Sequence, residues 1–131
     1  MIAPDTGIVR IRSCHSVSVT SERLTGLLKA RGILIFAHVH FSYDAARAGV
    51  PIRPEELLIF GSPKLSAPLM QAAPTIGLEL PVKALIWQDS RRRTWIAYND
   101  PQYLLQRHGV SAALSDNLSA LIPYIEQAAR P

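Results

Sequence analysis

Cysteine is nearly absent from this chain: Cys14 stands alone among 131 residues, so no internal disulfide can form and the fold does not rely on an oxidising compartment. Long apolar runs are missing too. None approaches the ~20 residues a membrane-spanning helix needs, and the opening MIAPDTGIVRIRS alternates polar and apolar residues where a secretory signal would carry a continuous apolar stretch. A cytoplasmic location is the resulting expectation. No Walker loop and no Gly-x-Ser-x-Gly elbow occurs, so the chain announces neither nucleotide chemistry nor a serine nucleophile.

What is present is enough length for one core, and the expectation is a single domain over residues 1–131. The net charge of +4 raises nucleic-acid binding, but the bases are scattered apart from Arg91-Arg92-Arg93. That run falls between two strand-like segments, reads as a solvated hairpin turn, and has no aromatic residues interleaved for base stacking. The charge pattern therefore argues against a nucleic-acid partner. Cys14, in a strand-like segment beside His15, reads as a half-buried small residue and not as a reactive thiol.

Gly7 to Ser13 alternates as a half-buried strand with Val9 and Ile11 on one face. Ser16 then caps a helix carrying Val17, Leu24, Leu27 and Leu28 at helical spacing, and Gly32 stands at its left-handed terminus. Ile33 to Phe41 reads as a second strand, with Ile33, Ile35, Ala37, Val39 and Phe41 on one face and Leu34, Phe36, His38 and His40 on the other. Tyr43 to Ala48 forms a short helix ended by Gly49. Leu57 to Phe60 is a buried strand, Gly61 to Lys64 a turn, and Pro68 opens a short helix that stops before Pro74. Val82 to Gln88 and Thr94 to Tyr98 pair as a hairpin. Asp100-Pro101 starts a helix that Gly109 closes, and a last helix from about Ser111 breaks after Ile122 because of Pro123. Apart from a few terminal residues no disordered segment is expected. With few full crossover helices between strands, the fold class is α+β: an antiparallel sheet with helices packed on one face, in β-α-β(4)-α order with short inserted helices.

The blocks EELLIFGSPK, APLMQAAPTIGLELPVKALIWQD and AYNDP carry a resemblance to the domain-of-unknown-function family numbered 302, extending over nearly the whole chain. The resemblance implies a β-α-β(4)-α domain similar to one repeat of the TATA-box binding protein fold, and a homodimer. It implies no established activity, and the cofactor is unknown. Where relatives tend to carry Asp-His after the second strand, this chain has His40-Phe41, and Gly61-Ser62-Pro63-Lys64 stands where they tend to have Gly-Asn-Pro-Lys.

Three constellations offer chemistry. His38 and His40 are candidate metal ligands, because alternate strand residues share a face and two imidazoles can converge on one ion. A third protein ligand is required, and His15, His108, Asp44 and Glu79 lack diagnostic spacing, which weighs against a metal site. Gly61, Ser62 and Lys64 could cradle an anion, while Tyr98 and Asn99 combine an aromatic face with polar groups at a strand end. Tyr43, Trp87 and Trp95 are further aromatic candidates for a pocket lining. The leading expectation is a binding or accessory domain that works as a homodimer and holds a small anionic or aromatic ligand between sheet and helices. The alternative is a small metal-dependent or redox-linked enzyme using His38 and His40, with Cys14 as a further participant.

Overall fold

The computed structural model describes residues 6–131, so the expectation for the first five residues lies outside it. Its centre is an antiparallel sheet in the order β1-β5-β4-β3-β2, with β1 at Ile8–Ser13, β2 at Leu34–Val39, β3 at Glu55–Gly61, β4 at Val82–Gln88 and β5 at Thr94–Asn99. The expected hairpin is present, with Trp87 opposite Trp95 and Leu85 opposite Ala97. β1 and β2, consecutive in the chain, occupy the two edges.

Helix α1, Val17–Ala30, crosses between those edges. Ser16 caps it, its side chain accepting from the Val19 amide, which satisfies one donor of the first turn. Val17, Leu24 and Leu28 of α1 and Ile125, Ala128 and Ala129 of α6, Ile122–Ala129, close over Leu58, Phe60, Ala84, Ile86 and Ile96. This is the main core, and it defines the covered face of the sheet. Leu57, Ile59, Leu85, Trp87, Trp95 and Ala97 alternate with those core residues, so the period-2 pleat sends them to the opposite face, where they are only half-buried.

The inserted helices form a second cluster. Leu69 of α3, Pro63–Ala72, and Ile76 of the 3-10 segment Pro74–Glu79 meet Leu104 and Leu105 of α4, Pro101–His108, with Val110 and with Leu118 of α5, Ser115–Ser119. Asp100 caps α4 through the Gln102 amide, and Gly109, at φ 65°, ends it as expected.

Four expectations need correction. α3 starts at Pro63 and not at Pro68: Ser62 is its N-cap residue and Pro63 occupies the first turn, where a missing N–H costs nothing, so the expected turn at Gly61 to Lys64 is instead a strand end running into a helix. The break near the C-terminus precedes Ile122, because Pro123 serves the first turn of α6. Cys14 is exposed, lying just past the end of β1.

The second strand departs from its expected pattern where the candidate ligands lie. β2 does not alternate uniformly: Ile35 pairs with Phe60, Ala37 with Ile59 and His38 with Leu58, with a register shift between Ile35 and Ala37. One extra residue, Phe36, sits in β2 at that point, which is a β-bulge. Phe60 and Leu58 share the covered face, so Ile35 and His38 do as well. The bulge therefore turns His38 from the face of Leu34 and Phe36 toward α1. His40 and Phe41 are not in the strand: His40 is the N-cap residue of α2, Phe41–Arg47.

Candidate functional site

The re-aimed His38 has Glu56 as a neighbour because β3 runs antiparallel beside β2. Glu56 lies opposite Ile86 and is two residues from Leu58, so it too points to the covered face, just beyond the apolar core. Nε2 of His38 donates to Oε1 of Glu56 at 2.5 Å, and the Ser21 hydroxyl oxygen, from buried α1 backbone, is 3.2 Å from the same nitrogen. His40 makes no capping hydrogen bond of its own. Its ring instead stacks on His38 with centroids 4.1 Å apart, and its Nδ1 is 3.8 Å from Glu56 Oε1. Ser42 fastens the start of α2 to β3, accepting from the Glu55 amide at 3.1 Å.

Ligand atoms of His38, His40 and Glu56 all lie within 4.8 Å of one another. Tetrahedral coordination with bonds of 2.0 to 2.1 Å places ligand atoms about 3.3 Å apart. The His38–Glu56 contact must open and the His40–Glu56 distance must close, each by less than about 1 Å, and the two imidazole nitrogens, at most 4.8 Å apart, must close by up to about 1.5 Å, changes that side-chain rotation supplies. The Glu56 side chain is 13% exposed while those of His38 and His40 are 33% and 54% exposed, so the anchor is enclosed and the imidazoles face the way in. That way in is a cleft of about 440 Å³ between α1 and the β2–β3 edge, walled on the helix side by Ser18, Ser21, Glu22, Thr25, Gly26 and Lys29.

The third ligands considered from sequence lie elsewhere. His15 Nε2 is 2.6 Å from the Arg130 carbonyl, and Asp44 is exposed on α2. Glu79 and His108 pair with each other: His108 Nε2 donates to Glu79 at 2.6 Å, the Thr75 hydroxyl donates to His108 Nδ1 at 2.8 Å, and Arg107 donates to Glu79 at 2.7 Å. Burial pushes the Glu79 carboxyl up, but the His108 hydrogen bond and the Arg107 charge outweigh it and hold the group below its ordinary value. This network ties the 3-10 segment to α4. Cys14 stands beside α6, its amide bonded to the Ala129 carbonyl, and is not a member of the histidine cluster.

The remaining candidates are not drawn together. Tyr98 and Asn99 border a cavity of about 230 Å³ on the open sheet face, with Leu57, Lys83 and Leu85, and Gly61, Ser62 and Lys64 are not among its walls. Burial, then the charges of Glu126 and Asp100, raise the Tyr98 phenol above its usual value. Ser62 makes no side-chain cap at α3, and Lys64 is exposed. Trp87 and Trp95 stack across the hairpin at 6.4 Å. Trp95 also donates to Asp89, whose carboxylate is held far below its ordinary range by that bond and by bonds from Arg93 and Arg91. Tyr43 is exposed on α2, where the Arg47 guanidinium lies over its ring.

Sequence reasoning passed over Glu56 and the α1 wall. The signal for Glu56 was its place just before the buried run Leu57 to Phe60 on a neighbouring strand. The wall was legible as the polar i, i+3, i+4 set Ser18, Ser21, Glu22, Thr25 and Lys29.

The family described as Domain of unknown function DUF302 matches residues 9–128. Two curated proteins named Fluoride-specific ion channel FluC 1, from Brucella suis biovar 1 and Brucella abortus biovar 1, are each 39% identical over 118 residues, 90% of this chain. The matched stretch makes up 46% and 44% of those proteins, so the chain spans less than half the length of the curated relatives it matches. The crystal structure of an uncharacterized conserved DUF302 protein from Bacillus stearothermophilus superposes with a TM-score of 0.77 at 18% identity, covering 95% of this chain and 97% of that one. At that identity the likeness speaks for the fold alone.

Proposed function

The chain belongs to the DUF302 family, and from that premise we propose that it is a dimeric accessory domain whose binding site is a divalent transition-metal centre built by His38, His40 and Glu56. The observation that carries the reading is the convergence of two imidazoles and a carboxylate within 4.8 Å at the mouth of a cleft. Two nitrogens and one oxygen suit zinc or another first-row divalent ion, and three protein ligands leave a position for an outside group. A bare anion or an aromatic ligand fits less well, because Glu22 and Glu56 both face the cleft.

The accessory role is supported by the curated relatives. A stretch like this chain forms under half of proteins named as ion channels, and among the described residues no helix is long and apolar enough to cross a membrane. We read this domain as the non-conducting module of such a pairing. The dimer reading rests on the family resemblance and on the open sheet face. There half-buried Leu57, Ile59, Leu85 and Trp87 continue to exposed Leu34 and Phe36, a patch that a second copy would cover. Light scattering at micromolar concentration should give twice the 14.4 kDa chain mass; a monomer mass throughout would remove the dimer.

The metal reading is tested on protein purified without an affinity tag. Calorimetric titration with zinc should show one ion per chain at micromolar or tighter affinity, lost in His38→Ala, His40→Ala and Glu56→Gln, each checked for an intact melting transition. Zinc binding that survives all three substitutions, or none in the wild type, would overturn it.

A further inference from the structure

We infer that the metal centre binds a small organic anion, whose carboxylate or phosphate-ester head completes the coordination while its body lies along α1. This inference rests on the metal reading of His38, His40 and Glu56. Three protein ligands leave at least one tetrahedral position open, and the cleft beside it, about 440 Å³, is far larger than a coordinated water needs and matches the size of small-ligand pockets.

The charge balance selects the class of ligand. A divalent ion together with Glu56, Glu22 and Lys29, charged groups that face the cleft, leaves one positive charge, which favours an anionic head: a carboxylate neutralises it and a phosphate monoester, mostly dianionic at neutral pH, more than offsets it. Lys29 supplies a mobile ammonium at the far end of the wall, and Ser18 and Thr25 supply hydroxyl donors on the same helix face.

Gly26 supports the same conclusion independently. It lies inside a 14-residue helix, where glycine is less stable than alanine. Its φ is ordinary, and a Cβ built on it meets no atom within 4 Å, so neither backbone strain nor close packing calls for glycine there. What the missing side chain leaves is room in the cleft, beside Thr25 and Lys29. A larger residue at this position would take the space that the body of the anion requires.

The test uses the cobalt(II)-loaded full chain, whose visible absorption reports the coordination sphere. Titration with acetate and, separately, with phenyl phosphate should shift the spectrum saturably, and glycerol at equal concentration should not; the two anions distinguish a carboxylate ligand from a phosphate ester. Lys29→Gln should weaken the anion response by about tenfold while leaving cobalt affinity unchanged. Gly26→Leu should abolish the phenyl phosphate response and likewise leave cobalt binding in place. A cobalt spectrum that neither anion moves, or anion binding indifferent to both substitutions, would overturn the inference with the metal reading intact. No cobalt spectrum at all would overturn both.

Discussion

Deleting Phe36 should leave the site standing, although it shortens the strand that carries His38. Phe36 is the extra residue between Ile35, opposite Phe60, and Ala37, opposite Ile59. Without it these pairs become consecutive in an ordinary ladder, and His38 still falls opposite Leu58, on the covered face. The cost is the contact of a ring already 54% exposed, less than half of what a fully buried aromatic contributes, or about 1 kcal/mol. For a domain of this size that corresponds to a melting point lower by about 4 °C. Inserting an alanine between Ala37 and His38 should do the reverse. It moves His38 opposite Leu57, on the open face, and separates its ring from Ser21 and Glu56. Nuclear Overhauser contacts between the His38 ring and the Ser21 methylene protons read the outcome without reference to any metal. They should persist in the deletion and vanish in the insertion. Loss of these contacts in a folded deletion variant would refute the bulge as the device that aims His38.

Gly7→Ala should destabilise by roughly 3 kcal/mol, because Gly7 is left-handed at φ 69° and an added Cβ would stand 2.4 Å from the Tyr103 ring; pairing it with Tyr103→Ala should relieve the clash, and a denaturant melt in which the two changes add without coupling would contradict this. Glu79 is held below its ordinary value of 4.5 in the fold, so its contribution is present above that pH and is lost as pH falls through the folded value. Wild type should therefore lose more stability than Glu79→Gln between pH 5 and 3, and parallel acid melts of the two proteins would be the contrary result.

The sheet was legible because its signals are local. The β4–β5 hairpin follows from two apolar runs around Asp89 to Arg93, and Ser16, Asp100 and Gly109 mark helix ends through capping chemistry that needs no tertiary context. Strict alternation correctly separated Val9 and Ile11 from Arg10 and Arg12 in β1. The same rule misplaced His38, since a bulge leaves no mark in the run LIFAHV and exists only because β3 is there to be paired with. Pro63 and Pro68 both suit a helix start, and the choice between them depends on how α3 packs in the second cluster. Two of the three proposed ligands, His38 and His40, stand out by their alternate spacing in the sequence, although the lack of a third ligand weighs against a metal there. Glu56 was passed over because its place before the buried run Leu57 to Phe60 marks only a strand end, and it is cross-strand register that brings it to the imidazoles.

We propose that one metal ion is held jointly by His38, His40 and Glu56. Anomalous diffraction at the zinc edge, from crystals of the tag-free protein grown with stoichiometric zinc, would locate that ion. The expected result is a single strong peak about 2.0 to 2.2 Å from one nitrogen of each histidine and from a Glu56 carboxylate oxygen, on the α1 side of the sheet. A peak placed instead at the Glu79–His108 pair, or none in the cleft, would contradict it.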